Sequence, residues 1–159
     1  MKTNLIKKGP TLILKLTIII IGISALLMCG LLIYLLFNSN DIGGYKPILL
    51  GMLLTAIPFF YGIIQAFKIL IYIDENKAFS DLSVKALKKI KNNAFIISGF
   101  YILCMPYIYY VAENDDAPGG ILIGMILVVA PAIVGIIALT LQKLLFNAIE
   151  IKSENDLTV

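Results

Sequence analysis

The sequence predicts an all-α membrane protein with four transmembrane helices. Four stretches contain no charged residue, namely residues 16–37, 47–67, 94–112 and 119–142. Each has close to the roughly 20 residues that a helix needs to cross ~30 Å of hydrocarbon. The composition agrees, because 60% hydrophobic residues, 14% charged residues and a mean hydropathy of +0.95 leave too little polar surface for a water-soluble fold. We therefore expect a single membrane domain over residues 1–159.

The first span resembles a secretory signal, because lysines precede a long apolar run. A signal peptide has an apolar core of ~7–15 residues followed by a small-residue cleavage site. Here 22 uncharged residues follow Lys15. Lipid attachment at Cys29 is a more specific alternative to an anchor. That reaction needs a small residue before the cysteine, however, and Met28 is bulky. The first span is therefore predicted to remain as an anchor.

The lysines predict the orientation of the chain. Cationic residues in short segments beside a span resist translocation, so they accumulate on the cytoplasmic side. All thirteen cations are lysines. Two loops, one joining spans 1 and 2 and one joining spans 3 and 4, contain only one of them, Lys46. The other twelve lie in the N-terminus, the middle loop and the tail. We therefore predict that both termini and the middle loop are cytoplasmic, in a multi-pass protein of the bacterial cytoplasmic membrane.

No ionisable Asp, Glu, Lys, Arg or His lies inside any of the four spans. Such a residue costs ~2.5–3.5 kcal/mol to insert and usually marks an ion pathway or a proton relay. Its absence argues against an ion carrier. Pro58, Pro106 and Pro131 fall near the middles of spans 2, 3 and 4 and predict kinks there. The kinks either form a cavity at mid-depth or are fixed by packing against neighbouring helices.

The sequence contains no residue set that indicates catalysis or cofactor binding. The chain has no histidine, and its two cysteines, Cys29 and Cys104, lie near the middle of apolar spans. Such cysteines are more typical of packing than of a metal site or a disulfide. We expect no enzymatic activity, no cofactor and no metal.

Small residues four apart predict close helix packing, because they let two backbones approach. The spacing suits either the internal bundle or a homo-oligomer, and both remain open. The pairs are Gly51 with Thr55, Gly62 with Ala66, and Gly120 with Gly124.

The loop between spans 2 and 3 predicts a short amphipathic helix. Ser80 is a candidate N-cap, and Asp81 would stabilise the first turn. Apolar residues then recur at helical spacing opposite four lysines. We expect this helix to lie at the inner membrane surface before it turns into span 3, with its lysines at anionic headgroups. The lysines are Lys85, Lys88, Lys89 and Lys91.

Three polar segments carry a resemblance to a known family. They are residues 72–80 (Tyr-Ile-Asp-Glu-Asn-Lys-Ala-Phe-Ser), 115–119 (Asp-Asp-Ala-Pro-Gly) and 152–159 (Lys-Ser-Glu-Asn-Asp-Leu-Thr-Val). Together with the four-span layout, they closely resemble the bacterial membrane family catalogued as domain of unknown function 2975, over essentially the whole chain. The resemblance implies a small protein that is often encoded beside a small helix-turn-helix regulator. It assigns no residue to catalysis or ligand binding.

Two functions follow as hypotheses. The first is a non-enzymatic regulatory or signalling protein whose cytoplasmic loop and tail bind a partner, such as the helix-turn-helix regulator implied by the resemblance. Direct nucleic-acid binding is not expected, because inside-positive anchoring already explains the lysines. The alternative is a small transporter or channel component lined by the kinked helices. The candidate partner or lipid contacts are Lys85, Lys88, Lys89, Lys91, Glu154, Asn155 and Asp156.

Overall fold

The computed structural model describes residues 2–38 and 43–157, and their side chains over 11–38 and 43–155. It has four helices, α1 (Lys2–Asn38), α2 (Lys46–Asp74), α3 (Asp81–Asn114) and α4 (Gly119–Leu157). Each contains a segment long and apolar enough to cross a membrane. The predicted all-helical class and the four spans are thus confirmed. The helices are longer than the uncharged stretches, because helical backbone continues into the polar residues that flank them.

The helices form a row in which each packs on its neighbour in the chain. α1 packs on α2, α2 on α3, and α3 on α4, whereas α1 makes no close contact with α3 or α4 over the described residues. Lys15 of α1 contacts Asp74 at the last residue of α2, and Tyr107 of α3 contacts Gly44 just before α2. Neighbouring helices therefore run antiparallel. We call the end that holds the start of α1, the turn 75–80 and the end of α4 the lysine-rich end.

α3 and α4 approach closely where α4 carries glycine. A Cβ atom on Gly124 would lie 2.9 Å from Met105 Sδ and 3.1 Å from Ile108 Cγ2, and one on Gly120 would lie 3.2 Å from Ala112 Cβ. Real Cβ contacts are rarely this short, so a larger residue at Gly120 or Gly124 would require its neighbours on α3 to shift. The packing role predicted for Gly120 and Gly124 is confirmed.

α2 and α3 meet at a glycine and a buried hydroxyl pair. A Cβ on Gly51 would lie 3.1 Å from Cε1 of the Phe100 ring. Thr55 Oγ1 and Tyr101 Oη are 3.0 Å apart, and both residues are buried. Because the Thr55 hydroxyl donates to the Met52 carbonyl at 3.0 Å, the Tyr101 hydroxyl donates to Thr55. Hydrogen bonds of this kind between membrane helices contribute about 0.6 kcal/mol on average.

α2 ends at a turn that needs one residue in the left-handed region. Asn76 has φ 59°, the Lys77 N–H donates to the Tyr72 carbonyl at 2.7 Å, and the Asn76 N–H donates to the Ile73 carbonyl at 3.1 Å. This pattern is a Schellman motif, which satisfies the last carbonyls of a helix. Asp116, at φ 50°, occupies the same position after α3. These turns fix where the polar connections begin.

The structure corrects the prediction of a separate amphipathic helix. Ser80 is the N-cap residue, as predicted, but its hydroxyl makes no cap bond and donates to the Lys77 carbonyl at 2.7 Å. α3 runs without interruption from Asp81 to Asn114, since residues 81–97 contain no glycine or proline to stop it. Residues 81–93 are therefore the first turns of α3. Ser83 and Ala86 are only 1% and 3% exposed, so protein covers this side of the helix.

Candidate functional site

α3 and α4 build the lysine-rich end together. Phe95 of α3 packs on Gly135 of α4, where a Cβ would lie 3.0 Å from the ring. Because α3 and α4 are antiparallel, each step of one residue toward the start of α3 matches a step of one residue toward the end of α4. If both helices stay straight, this register places Lys88 at the same height along the helix axis as Gln142, and Asp81 at the same height as Ile149. Residues 81–93 of α3 therefore run beside residues 137–149 of α4, and residues 150–157 of α4 extend beyond the start of α3.

Three of the four predicted lysines are available at the surface. Lys85, Lys88 and Lys89 are exposed, whereas Lys91 is half-buried. Lys89 Nζ lies 5.8 Å from the centroid of the Tyr61 ring on α2, within the range of a cation–π contact. Lys85 and Lys88 lie on the opposite side of the helix from Ser83 and Ala86, whereas Lys89 lies on the side that faces α2. A headgroup or a protein can therefore reach Lys85 and Lys88 without disturbing the packed side.

The predicted contacts in the tail lie on helix α4, which continues to Leu157. Glu154 and Asn155 are exposed, whereas the side chain of Asp156 lies outside the described residues. In the register given above, Lys85 is level with residue 145, and Glu154 lies nine residues further along α4. At 1.5 Å per residue, this is about 14 Å along the helix axis. The structure places lysines and tail at the same end of adjacent helices and does not bring them into one cluster.

An ion pair at the lysine-rich end was missed by sequence reasoning. Lys15 Nζ donates to Asp74 Oδ2, and the two side chains are 25% and 21% exposed. The same ammonium lies 5.9 Å from the centroid of the Phe67 ring. The pair joins α1 to α2, the one helix on which α1 packs over the described residues. The available signal was a lysine and an aspartate at the flanks of consecutive antiparallel spans.

Aromatic residues link the helices at the opposite end. The Tyr107 hydroxyl donates to the Gly44 carbonyl at 2.9 Å. Asp115 raises the pKa of the Tyr45 phenol above its ordinary value, chiefly through a side-chain hydrogen bond that favours the protonated phenol. Tyrosines near the ends of membrane spans commonly anchor a protein at the level of the lipid headgroups. Both contacts cross between α2 and the α3–α4 region, so these tyrosines also connect helices.

An apolar groove of about 550 Å³ opens between α1 and α4. α2 and α3 form its floor, where Thr55 and Tyr101 lie, and Pro58 and Pro131 line its middle. Gly62 also lines the groove, and a Cβ there would meet no described atom within 4 Å. Gly62 is therefore not a site of close helix packing within one chain, and a role in a homo-oligomer stays a prediction. The spacing of four residues does not reveal how near the next helix lies.

The cysteines and acidic residues form no metal site in the part of the chain that the structure describes. Cys29 and Cys104 are both free thiols. Cys29 lines the groove, whereas Cys104 lines a smaller cavity of about 200 Å³ beside Gly51 and Phe100.

Four membrane-length helices with antiparallel neighbours define a small multi-pass membrane protein. A sequence profile of the family described as "Protein of unknown function (DUF2975)" matches residues 43–159, and the chain belongs to this family. The predicted resemblance is confirmed, although the profile begins after α1. The chain is also similar to the "Uncharacterized membrane protein YoaS" of Bacillus subtilis (strain 168), with 48% identity over 155 residues, 94% of this chain and 97% of the relative. No solved structure matches the chain.

Proposed function

We propose that this protein is a non-enzymatic membrane regulator that binds a cytoplasmic protein at the lysine-rich ends of α3 and α4. The observation that carries the proposal is the length of these two helices. α3 has 34 residues and α4 has 39, which at 1.5 Å per residue give about 51 and 58 Å. A bilayer offers only ~30 Å of hydrocarbon. Part of this antiparallel pair therefore extends into water, with an internal packed side and an exposed lysine side.

The chemistry of this surface favours a protein partner with acidic groups. Lys85, Lys88 and Lys89 supply three exposed cations on the first turns of α3. Charged groups of this kind steer association and select among partners more than they add affinity. The partner class that we expect is a small helix-turn-helix regulator, which the family resemblance implies. Held at the membrane, such a protein would be kept from its other binding sites.

We test the lysine side by capture from native membranes. Replacing Lys85, Lys88 and Lys89 together with glutamine should reduce recovery of the partner several-fold. Membrane insertion should persist, because nine other lysines remain on the same side of the four spans. The matched control changes the same three residues to arginine, which keeps the charge and should keep the capture.

Deleting residues 154–159 tests the tail in the same assay, and recovery of the partner should again fall. The proposal is contradicted if both the glutamine variant and the deletion recover the same cytoplasmic proteins as the parent. It is also contradicted if the parent recovers no specific cytoplasmic protein.

A further inference from the structure

We propose that α2 and α3 bind the phosphate of an anionic membrane lipid near the lysine-rich end. The site consists of Tyr61, Gln65 and Lys68 of α2 and Lys89 of α3. None of these residues lines the apolar groove between α1 and α4. The proposal depends chiefly on Gln65 and Lys68, which the regulatory function proposed above does not use, so the two proposals can fail separately.

A cation–π contact places Lys89 where α3 meets α2. Its ammonium lies 5.8 Å from the centroid of the Tyr61 ring, so the side chain reaches across to α2. A lysine ammonium has three N–H donors, and the ring supplies no oxygen to accept from them. Lys68 and Lys89 form no ion pair with the part of the chain that the structure describes. Both cations can therefore donate to an external anion.

A buried amide lies beside this contact. Gln65 is one helical turn beyond Tyr61 and is only 3% exposed. Its carboxamide forms no hydrogen bond with any described residue, yet its oxygen and nitrogen are not sealed from the surroundings. An amide removed from water without a hydrogen-bond partner is unfavourable. A ligand that bonds to Gln65 would remove this cost.

The charges around Gln65 select an anion. Lys68 follows Tyr61 by seven residues, or two turns, and therefore lies on the same face of α2. Residues 47–73 of α2 and 82–112 of α3 contain no aspartate or glutamate. The polar groups of the two lysines donate, and the Gln65 amide nitrogen donates as well. A phosphate has enough oxygens to accept from all three.

The position of the site along α2 favours a lipid phosphate over a soluble one. Lys68 is the first charged residue after the uncharged stretch 47–67, so it lies where hydrocarbon gives way to headgroups. Leu54, Ile57 and Ile64 are exposed on the same face of α2, toward the middle of the span. An acyl chain can lie along these residues while its phosphate reaches Lys68. Basic sites between membrane helices bind anionic headgroups in this way.

The test measures lipid binding to the purified full-length protein by native mass spectrometry. The protein in detergent is titrated with phosphatidylglycerol and, separately, with phosphatidylcholine, whose phosphate is neutralised by a choline cation. The parent should bind phosphatidylglycerol more tightly than phosphatidylcholine. Inorganic phosphate should not displace the bound lipid, because it cannot cover the apolar face of α2.

Matched variants separate this site from the general charge of the protein. Lys68→Gln should lower the affinity for phosphatidylglycerol about fivefold, the contribution of one lysine near an anionic surface, and Gln65→Leu should lower it as well. Lys88→Gln makes the same charge change on the side of α3 away from Ser83 and Ala86, and should leave the affinity unchanged. Circular dichroism checks that each variant is folded.

Three results would overturn the proposal. They are equal affinity for the two lipids, equal effects of Lys68→Gln and Lys88→Gln, and displacement of the lipid by inorganic phosphate. In the capture assay described above, Lys68→Gln should recover the cytoplasmic partner as the parent does. Loss of lipid binding and loss of partner capture are therefore measured on different variants.

Discussion

Replacing Gly124 with leucine should separate α3 from α4 and lower the stability of the protein. Its first added atom would lie 2.9 Å from Met105 Sδ and 3.1 Å from Ile108 Cγ2, and the rest of the side chain must enter the same interface. Overpacking of this kind costs typically 1–3 kcal/mol, and separating the helices would also weaken the hydrogen bond from Ser98 Oγ to the Val128 carbonyl, now 2.9 Å long. The measurement is denaturant unfolding in detergent micelles, followed by circular dichroism.

The control for this substitution is Gly119→Leu in the same helix. A Cβ at Gly119 meets no described atom within 4 Å, so this variant should unfold at the same denaturant concentration as the parent. Equal stability of Gly124→Leu and Gly119→Leu would show that α3 and α4 are not packed as described.

Replacing Ala86 with leucine should also destabilise the protein, by about 1–3 kcal/mol. Ala86 is 3% exposed, and its side of α3 is covered by protein. If residues 81–93 instead lay along the membrane surface, a larger apolar side chain would strengthen membrane binding and would cost no stability. The substitution therefore distinguishes the structure from the surface helix that the sequence predicts.

Lys85→Leu, one residue earlier, is the matched control. Lys85 is exposed, so a leucine there should change the stability by less than about 0.5 kcal/mol. Denaturant unfolding compares the two variants under the same conditions. If Ala86→Leu left the stability unchanged and strengthened membrane association, residues 81–93 would lie on the bilayer surface, as the sequence predicts.

The spans were predictable from the sequence because the bilayer has a nearly constant thickness. A run of about 20 residues without charge fits only one environment, and this property can be counted directly. The start of α3 after Ser80 was predictable for a similar reason, since serine marks helix starts locally, although the Ser80 hydroxyl bonds to the Lys77 carbonyl and does not cap α3. These features depend on local sequence and on the solvent, and neither requires knowledge of the neighbouring helix.

The remaining features depend on which helix lies next to which. Gly62 and Gly124 show the same small-residue spacing, yet a Cβ at one meets open space and a Cβ at the other meets a side chain at 2.9 Å. Helical periodicity showed that Ala86 lies on an apolar face, but lipid and protein can cover such a face equally well. Lys15 was counted as a topology signal, and its pairing with Asp74 requires α1 to lie on α2. Distances between helices therefore had to come from the structure.

The proposed function requires the lysine-rich end to face the cytoplasm, and cysteine labelling tests this requirement most directly. Single cysteines are introduced as Asp115→Cys and Lys88→Cys, in a chain whose Cys29 and Cys104 are replaced by alanine. Both positions are exposed and lie at opposite ends of α3. A membrane-impermeant maleimide is added to intact cells and to permeabilised cells. The asymmetric distribution of lysines predicts labelling at position 115 in intact cells and at position 88 only after permeabilisation. Labelling at position 88 in intact cells, with position 115 protected until permeabilisation, would contradict the proposed regulatory function.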